Sequence, residues 1–468
     1  MSKLEYFSAV AAGWRKYRRN RSYYWDQITA SIGFYIHPDS SVLEIGCATG
    51  ETIAQLPGRR KVGIDFCPEL IEQAREAHPE IEFHVMDAED IRLQEQFDVV
   101  VLSNLVGFLD DIENVLRQVR KVCHERTRLI VTSYNRLWEP LIAFAETLGI
   151  KRPSPEQNWI SAADMQNLLY LAGFETYRSY GGMLIPYNIP LLAPLANKWF
   201  ANTLLAQGMD INKYFYARPV PQEGDWERRY SVSVVIPARN ESGNIRAALE
   251  RTPEMGSHTE IIFVEGNSTD DTWDVIQKEA AEWSARRDVK IMRQDGKGKG
   301  DAVRKGFAAA TGDILMILDA DLTVPPEDLP KFYRAIATGK GDFVNGVRLV
   351  YPLEKGAMRT LNNIGNHFFS RVFSRILRTP VKDTLCGTKV MFRTDWQRLA
   401  EGRKFFGDFD PFGDFDMLFG AHKLNLRLVD MPIRYKERKY GETNISRFRH
   451  GLLLLRMSAF AAKKILFR

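Results

Sequence analysis

Cysteine is scarce in this chain: four residues, Cys47, Cys67, Cys123 and Cys386, among 468. They lie far apart, with no CxxC pair and no flanking histidine cluster. That excludes both a zinc-finger spacing and a disulfide scaffold and leaves a reducing compartment as the expected setting. Long apolar runs are also missing. No stretch reaches the ~18 uncharged apolar residues that a membrane-crossing helix needs. The opening MSKLEYFSAVAAGWRKYRRNRSYYWDQ lacks the apolar core and small-residue cleavage site of a signal peptide, so the protein is expected inside the cell. No low-complexity tract argues for disorder, and no internal repeat is visible. An excess of one charge is nearly absent: the net charge is +5, with basic residues gathered at 15–21 and in the last third. Nucleic acid is not an expected partner.

What is present is an ordinary globular composition, 45% hydrophobic and 26% charged. At roughly 150 residues per domain, the length suggests two or three units. Two strand-turn-helix starts mark them, SVLEIGCATGETIAQL from Ser41 and SVSVVIPARNESGNIRAALE from Ser231. Between these, ARPVPQEGDWERR is rich in proline, glycine and charge, as a linker would be. The expected division is a first domain over residues 1–216, a linker over 217–230, a second domain over 231–450 and an amphipathic basic tail over 451–468. Strand patterns at KVGID, IEFHVMD, FDVVVLSN and RLIVTSY, and later at EIIFVEGNS, VKIMRQ, DILMILDAD and DFVNGVRL, alternate with helical ones. The fold class is therefore α/β, with two doubly wound domains.

In the first domain, EIGCATG (residues 44–50) joins a strand to a helix, where small residues let backbone N–H groups approach a ligand. Asp65 closes the next strand at a spacing suited to ribose hydroxyls, Asp87 closes the one after, and Asn104 follows FDVVVLSN. An ordinary βα turn with capping aspartates gives the same pattern without a ligand. Taken together these motifs resemble the class I S-adenosylmethionine-dependent methyltransferases, over about residues 20–215 and with a Rossmann-like fold. The resemblance implies that Glu44, Gly46 and Gly50 line the methionine end of the cofactor, Asp65 holds the ribose, and Asp87 with Ala88 meets the adenine. Ala48 stands where the family's middle glycine usually does. NAD is the rival ligand, but the turn lacks a full GxGxxG and opens with an acid. Tyr23, Tyr24, Trp25 and His84 are candidates for an acceptor pocket, although such residues more often serve packing. Methyl transfer needs mainly alignment, which leaves little signature.

In the second domain the informative feature is ILMILDAD (residues 314–321), an apolar strand closed by two carboxylates one residue apart. Side chains at i and i+2 of a strand share a face, so Asp319 and Asp321 are expected to point together into the crevice beyond the strand. Such hard oxygen donors suit Mg²⁺ or Mn²⁺ held against substrate phosphates, and so nucleotide-diphosphate chemistry. PARNE (237–241) and EGNSTDD (265–271) end neighbouring strands on the same crevice, and DGKGKGD (295–301) is a cationic, glycine-rich lid candidate.

The ordered set resembles the inverting GT-A glycosyltransferases of family two, and especially the dolichyl- or polyprenyl-phosphate sugar synthases, over about residues 231–450. By that resemblance Pro237, Arg239, Glu241 and Glu265 hold the nucleoside, Lys299 and Asp319 the sugar nucleotide, and Asp321 the metal. Where many relatives have two aspartates and a glycine, this chain has Glu265, Gly266 and Asn267. Further acids, Asp383 in DTLCGTK and Asp414 and Asp416 in FGDFD, fall where acceptors bind in such enzymes. Asp414 or Asp416 is favoured as the base, with Asp383 next; helix capping or ion pairing is the plainer account of each. RYKERKYGETNIS (434–446) resembles the family's stretch in which an arginine and nearby polar groups, here Arg438 and Ser446, meet the acceptor phosphate.

Residues 359–383 alternate apolar side chains with arginine at helical spacing, which describes a membrane-surface helix and a helix packed on its own domain equally. The terminal GLLLLRMSAFAAKKILFR favours an interfacial anchor. The expected protein is a bifunctional transferase, peripheral at the inner face of the cytoplasmic membrane. It moves a sugar from a UDP- or GDP-sugar to a polyprenyl phosphate or similar lipid acceptor, and it methylates with S-adenosylmethionine. Two alternatives stay open: a first domain that only binds or regulates, and a second domain that is a metal-dependent nucleotidyltransferase.

Overall fold

The computed structural model describes residues 2–148, 155, 157–203, 206, 208–221, 224–351, 360–405, 414–438, 440 and 447–466. The chain divides between Val220 and Pro221 into two compact units. In unit 1, β1 (Ser41–Ile45), β2 (Arg60–Asp65), β3 (Glu82–Val85), β4 (Phe97–Ser103), β5 (Cys123–Tyr134), β6 (Phe174–Gly182) and β7 (Asn212–Pro219) form one sheet. Its order is β3-β2-β1-β4-β5-β7-β6, parallel as far as β5, with β7 inserted antiparallel between β5 and β6.

The inner strands are apolar on both faces because helices cover both. Leu43, Ile45, Val100 and Leu102 pack on one side with Val115 and Val119. Val42, Val99 and Val101 pack on the other with Ile28 and Ile32. Each such side chain contributes about 1.5–3 kcal/mol on burial, so truncating Ile45 to alanine would cost about 2–5 kcal/mol. Around the sheet run α1 (Lys3–Asn20), α2 (Ser22–Gly33), α3 (Glu51–Gln55) and α4 (Pro68–Ala77). Ala217, Arg218 and Pro219, read from sequence as linker, instead finish β7. They pair with β5 and β6, and Arg218 is 2% exposed beside Glu175.

Unit 2 holds β8 (Val232–Ala238), β9 (Thr259–Glu265), β10 (Asp288–Arg293), β11 (Ile314–Ile317), β12 (Phe343–Val347), β13 (Lys389–Phe392) and β14 (Leu428–Pro432). The order is β10-β9-β8-β11-β13-β12-β14, parallel except for β13, which runs antiparallel to both neighbours. In each unit the chain winds outward from its first strand on one side and returns on the other. The crevice therefore opens at the carboxyl ends of β1 and β4 in unit 1, and of β8 and β11 in unit 2.

The helix Thr360–Leu377 turns Phe369, Phe373, Ile376 and Leu377 inward, and Phe373 stacks on Phe419 at 5.0 Å. Its described apolar face thus packs on its own domain. The terminal segment is one helix, Arg447–Ile465, which buries Leu454, Met457, Ala461 and Ile465 and exposes Leu452 and Leu455. Among the described residues no helix is long and apolar enough to cross a membrane.

Candidate functional sites

After β1 the chain turns through Gly46, Ala48 and Gly50, all at positive φ (+73°, +47° and +80°). At Gly46 a Cβ would lie 2.7 Å from Leu105 Cδ1, so only glycine fits this left-handed turn. Asp65, at the end of β2, staples the loop: Oδ2 accepts the Ala48 N–H at 2.9 Å and Oδ1 the Cys67 N–H at 3.0 Å. Burial raises its pKa, and these amides pull it back. Glu44 is 2% exposed and accepts the Ile53 N–H at 3.0 Å. Burial pushes its carboxyl up to about 8, against the pull of Arg18. Arg18 comes from α1, lies 4.0 Å over the Trp25 ring and donates to Thr52 Oγ1 at 2.9 Å.

Glu44, Gly46, Asp65, Asp87 and Ala88 all line one cavity of about 250 Å³. Gly50 is outside its wall: it precedes α3, and a Cβ there would meet Phe83 Cζ at 2.7 Å, so its role is to let the turn pack. Asp87 Oδ1 also accepts the Glu89 N–H at 2.9 Å, which fixes the turn beyond β3. Of the acceptor candidates, Trp25 lines the cavity. Tyr24 is buried beside it, its hydroxyl accepting from Asn104 Nδ2 at 2.8 Å and Asn212 Nδ2 at 2.9 Å. Tyr23 accepts from Asn197 at 3.1 Å, and His84 lies against Glu82 at 2.6 Å, away from the cavity.

Sequence reading missed the contribution of α1. Phe7, Trp14, Tyr17 and Arg18 close one side of the cavity, and Phe7, Ala11, Trp14 and Arg18 follow the i, i+4, i+7, i+11 spacing of one helix face. That stripe was the available signal. The indole N–H groups of Trp14 and Trp25 and the Ser103 hydroxyl are buried in this wall without a protein partner. Buried donors are normally satisfied, so the cavity suits a ligand with hydrogen-bond acceptors.

In unit 2, β11 ends at Ile317 and residues 319–322 form a turn, with the Leu322 N–H donating to Asp319 O at 3.1 Å. Strand alternation therefore does not govern Asp319 and Asp321; the turn does, and it gives them different partners. Lys299 Nζ lies 2.6 Å from Asp319 Oδ1. Arg438 Nη2 donates to Asp321 Oδ2 at 2.6 Å and Nη1 to Glu241 Oε1 at 3.0 Å. Thr323 fixes the other Asp321 oxygen through its N–H and hydroxyl, at 3.1 and 2.8 Å. Glu241 also accepts from Asn244 Nδ2 at 2.7 Å. Its carboxyl is pushed up to about 7 by burial, with Arg438 opposing and Asp321 and Asp319 reinforcing the shift, so the acids form one electrostatic group.

Gly387 packs so tightly on this group that a Cβ would lie 2.1 Å from Lys299 Nζ and 2.2 Å from Asp319 Oδ2. Glu265 ends β9 and accepts the Ser268 N–H at 2.5 Å, with Arg293 at 3.7 Å. Pro237 lies near the end of β8, and Arg239 just beyond it is exposed.

Two expected bases are otherwise engaged. Asp383 is fully buried in a bidentate pair with Arg348, at 2.7 and 2.8 Å. Burial alone would raise its pKa, but the guanidinium holds it below the usual carboxylate range, so it anchors the loop rather than taking protons. Asp416 faces Arg403 at 3.2 Å in a small cavity with Leu399, Gly420 and Leu424, apart from the Asp319 group. Asp414 begins the helix Asp414–Lys423, and its side chain, like all of Ser446, lies outside the described residues. Among the described residues no three His, Cys, Asp or Glu side chains gather as a metal cluster. A Mg²⁺-type ion needs only one or two carboxylates beside substrate phosphates and water, and Asp319 and Asp321 provide that donor type.

Residues 17–179 match a family model described as a methyltransferase domain, and residues 233–399 one described as glycosyl transferase family 2. The chain is 39% identical over 122 residues to the dolichol-phosphate mannosyltransferase of Pyrococcus furiosus, covering 25% of this chain and 33% of that protein. It is 26% identical over 219 residues to the undecaprenyl-phosphate 4-deoxy-4-formamido-L-arabinose transferase of Klebsiella pneumoniae, covering 46% of this chain and 62% of that protein. The matched region thus spans between a third and about two thirds of these relatives. Among solved structures, a SAM-dependent methyltransferase of Thermotoga maritima, described as a possible histamine N-methyltransferase, is 17% identical with a TM-score of 0.38, covering 46% of this chain and 98% of that one. The chain carries two transferase domains, a methyltransferase domain followed by a family 2 glycosyl transferase domain.

Proposed function

We propose that unit 2 transfers a sugar, with inversion, from a UDP- or GDP-sugar to a polyprenyl phosphate or similar lipid phosphate, and that unit 1 transfers methyl groups from S-adenosylmethionine. The sugar-transfer reading rests on the convergence of Asp319, Asp321, Glu241, Lys299 and Arg438 at the switch point of the second sheet. In it Glu241, Glu265, Arg239 and Pro237 hold the nucleoside, while Lys299 and Asp319 hold the sugar diphosphate. Asp321 is the ligand for Mg²⁺ or Mn²⁺, which when bound neutralises charge on the leaving diphosphate. Arg438, which bridges Asp321 and Glu241, has the planar donor pair that suits the acceptor phosphate. That phosphate is acidic enough to attack with little help from a base, which accords with Asp383 and Asp416 being held in ion pairs.

For unit 1, Glu44 and Gly46 line the methionine end of the cofactor, Asp65 holds its ribose, and Asp87 with Ala88 meets its adenine, with the unpartnered Trp14, Trp25 and Ser103 donors available to the remaining acceptors. The protein works peripherally at the inner face of the cytoplasmic membrane, where its acceptor resides. Incubation with UDP- and GDP-sugars, Mn²⁺ and a polyprenyl phosphate tests the main reading. Released nucleoside diphosphate that disappears on chelation or in Asp321→Ala supports it, whereas released pyrophosphate replaces it with nucleotidyl transfer.

A further inference from the structure

Unit 1 exposes an apolar surface that its own packing does not use. β5 and β6 end, and β7 begins, side by side, with Tyr134, Gly182 and Asn212 in register. The segments that continue from β5 and β6 carry Leu141 and Phe144, 57% and 60% exposed, and Leu191, Leu195 and Trp199, 81%, 58% and 59% exposed. Their bases are tied together. Asn135 Nδ2 donates to the carbonyls of Gly208 and Asp210, and Trp138 Nε1 to those of Met209 and Asp210. Asn197 Nδ2 donates to Tyr23 Oη at 3.1 Å, two residues from Trp25 of the cavity wall.

The surface begins at the cavity itself. Tyr134 lines the cavity, as does Tyr17. Burial pushes the Tyr134 phenol up to about 12, and it interacts electrostatically with Tyr17, Arg21 and Tyr187. On that same α1, Arg15, Lys16 and Arg19 are exposed, whereas residues 187–200 carry a single charge, Lys198. Single exposed leucines need no explanation, but five large apolar side chains exposed on two segments tied at their bases do.

We propose that this face docks unit 1 on an anionic lipid surface and so brings a lipid-linked methyl acceptor to the mouth of the cavity. Leu191, at φ +65°, projects from its turn as a knob, and projecting aliphatic and indole side chains insert between headgroups. The basic residues of α1 are complementary to an anionic leaflet. The acceptor half of this inference rests on the proposed methyl transfer; the docking half does not.

The four native cysteines are buried, so an introduced thiol can be labelled selectively. Phe144→Cys, Leu195→Cys and, as control, Lys121→Cys in the full chain would each carry an environment-sensitive nitrobenzoxadiazole label. With phosphatidylcholine–phosphatidylglycerol vesicles, labels at 144 and 195 blue-shift and brighten severalfold while the label at 121 does not. The proposal fails if the chain floats with the vesicles while labels 144 and 195 stay aqueous. It also fails if they brighten with protein concentration in the absence of lipid, which would identify a second copy as the occupant. Either failure leaves the sugar-transfer reading intact, since that reading is scored by nucleoside diphosphate release.

Discussion

Glu44 and Glu241 are both carboxyls that burial pushes upward, to about 8 and about 7, and each sits against an arginine that opposes the shift. An unfolded glutamate titrates near 4.3, so between about 4 and 8 the unfolded chain releases a proton that folded Glu44 retains. Stability contributed by neutral Glu44 is therefore full below about 4 and falls as pH rises toward 8. Glu44→Gln removes that dependence, so thermal unfolding of the variant should gain on the parent between pH 5 and pH 8, by a few kcal/mol at most. A variant that instead loses ground over that interval would show Glu44 ionised in the fold. Glu241 passes from mostly neutral to mostly ionised across pH 6–8, and as an anion it is the better acceptor for nucleoside hydroxyls. Nucleotide-sugar affinity measured by calorimetry should tighten through pH 7 in the parent and stay flat in Glu241→Gln. The acids of this site could be read from sequence because they sit at strand ends in fixed motifs. The fate of Asp383 could not, since its neutralising partner Arg348 lies on another loop and only the folded sheet brings the two together.

Strand periodicity found β1 to β5 and β8 to β12, because continuous apolar runs bounded by glycine and acid can hardly be anything else, but it did not find β7 and β13, which are inserted antiparallel inside the two sheets. It misled at two element ends. β11 stops before the two aspartates, so a turn rather than the pleat aims them, and β7 runs on to Pro219 because its pairing with β5 has already ended at Ala217, so at the strand's last residue, paired with Phe174 of β6 alone, a proline that donates nothing is tolerated. The covering helix α1 was missed because an amphipathic stripe looks the same whether it meets a core or a cavity. Where one element presses on another the consequence is testable. The loop before β13 reaches the Lys299–Asp319 pair only because residue 387 has no side chain. Gly387→Ala should drive that pair apart and lower kcat for sugar transfer by on the order of 10- to 100-fold, as loss of a partly buried charge-assisted contact would. Its circular dichroism spectrum should be unchanged. Retained activity in a folded Gly387→Ala protein would show that the ion pair is dispensable.

At the scale of the whole chain, each unit closes its own sheet and has its own core, and each puts its acids at its own switch point. Domains built this way hold their sites independently unless something couples them. Two substitutions separate the activities. Asp65→Ala removes the acceptor for ribose hydroxyls and the staple of the Gly46–Gly50 turn, so S-adenosylmethionine affinity should fall on the order of 100-fold by calorimetry while nucleoside diphosphate release continues at the parental rate. Asp321→Ala should abolish that release and leave S-adenosylmethionine binding within about two-fold, since additivity holds for sites without shared partners. If either change propagates to the other activity, the two transferases are coupled. The double variant would then measure the coupling directly, as the departure of its combined loss from the product of the two single losses.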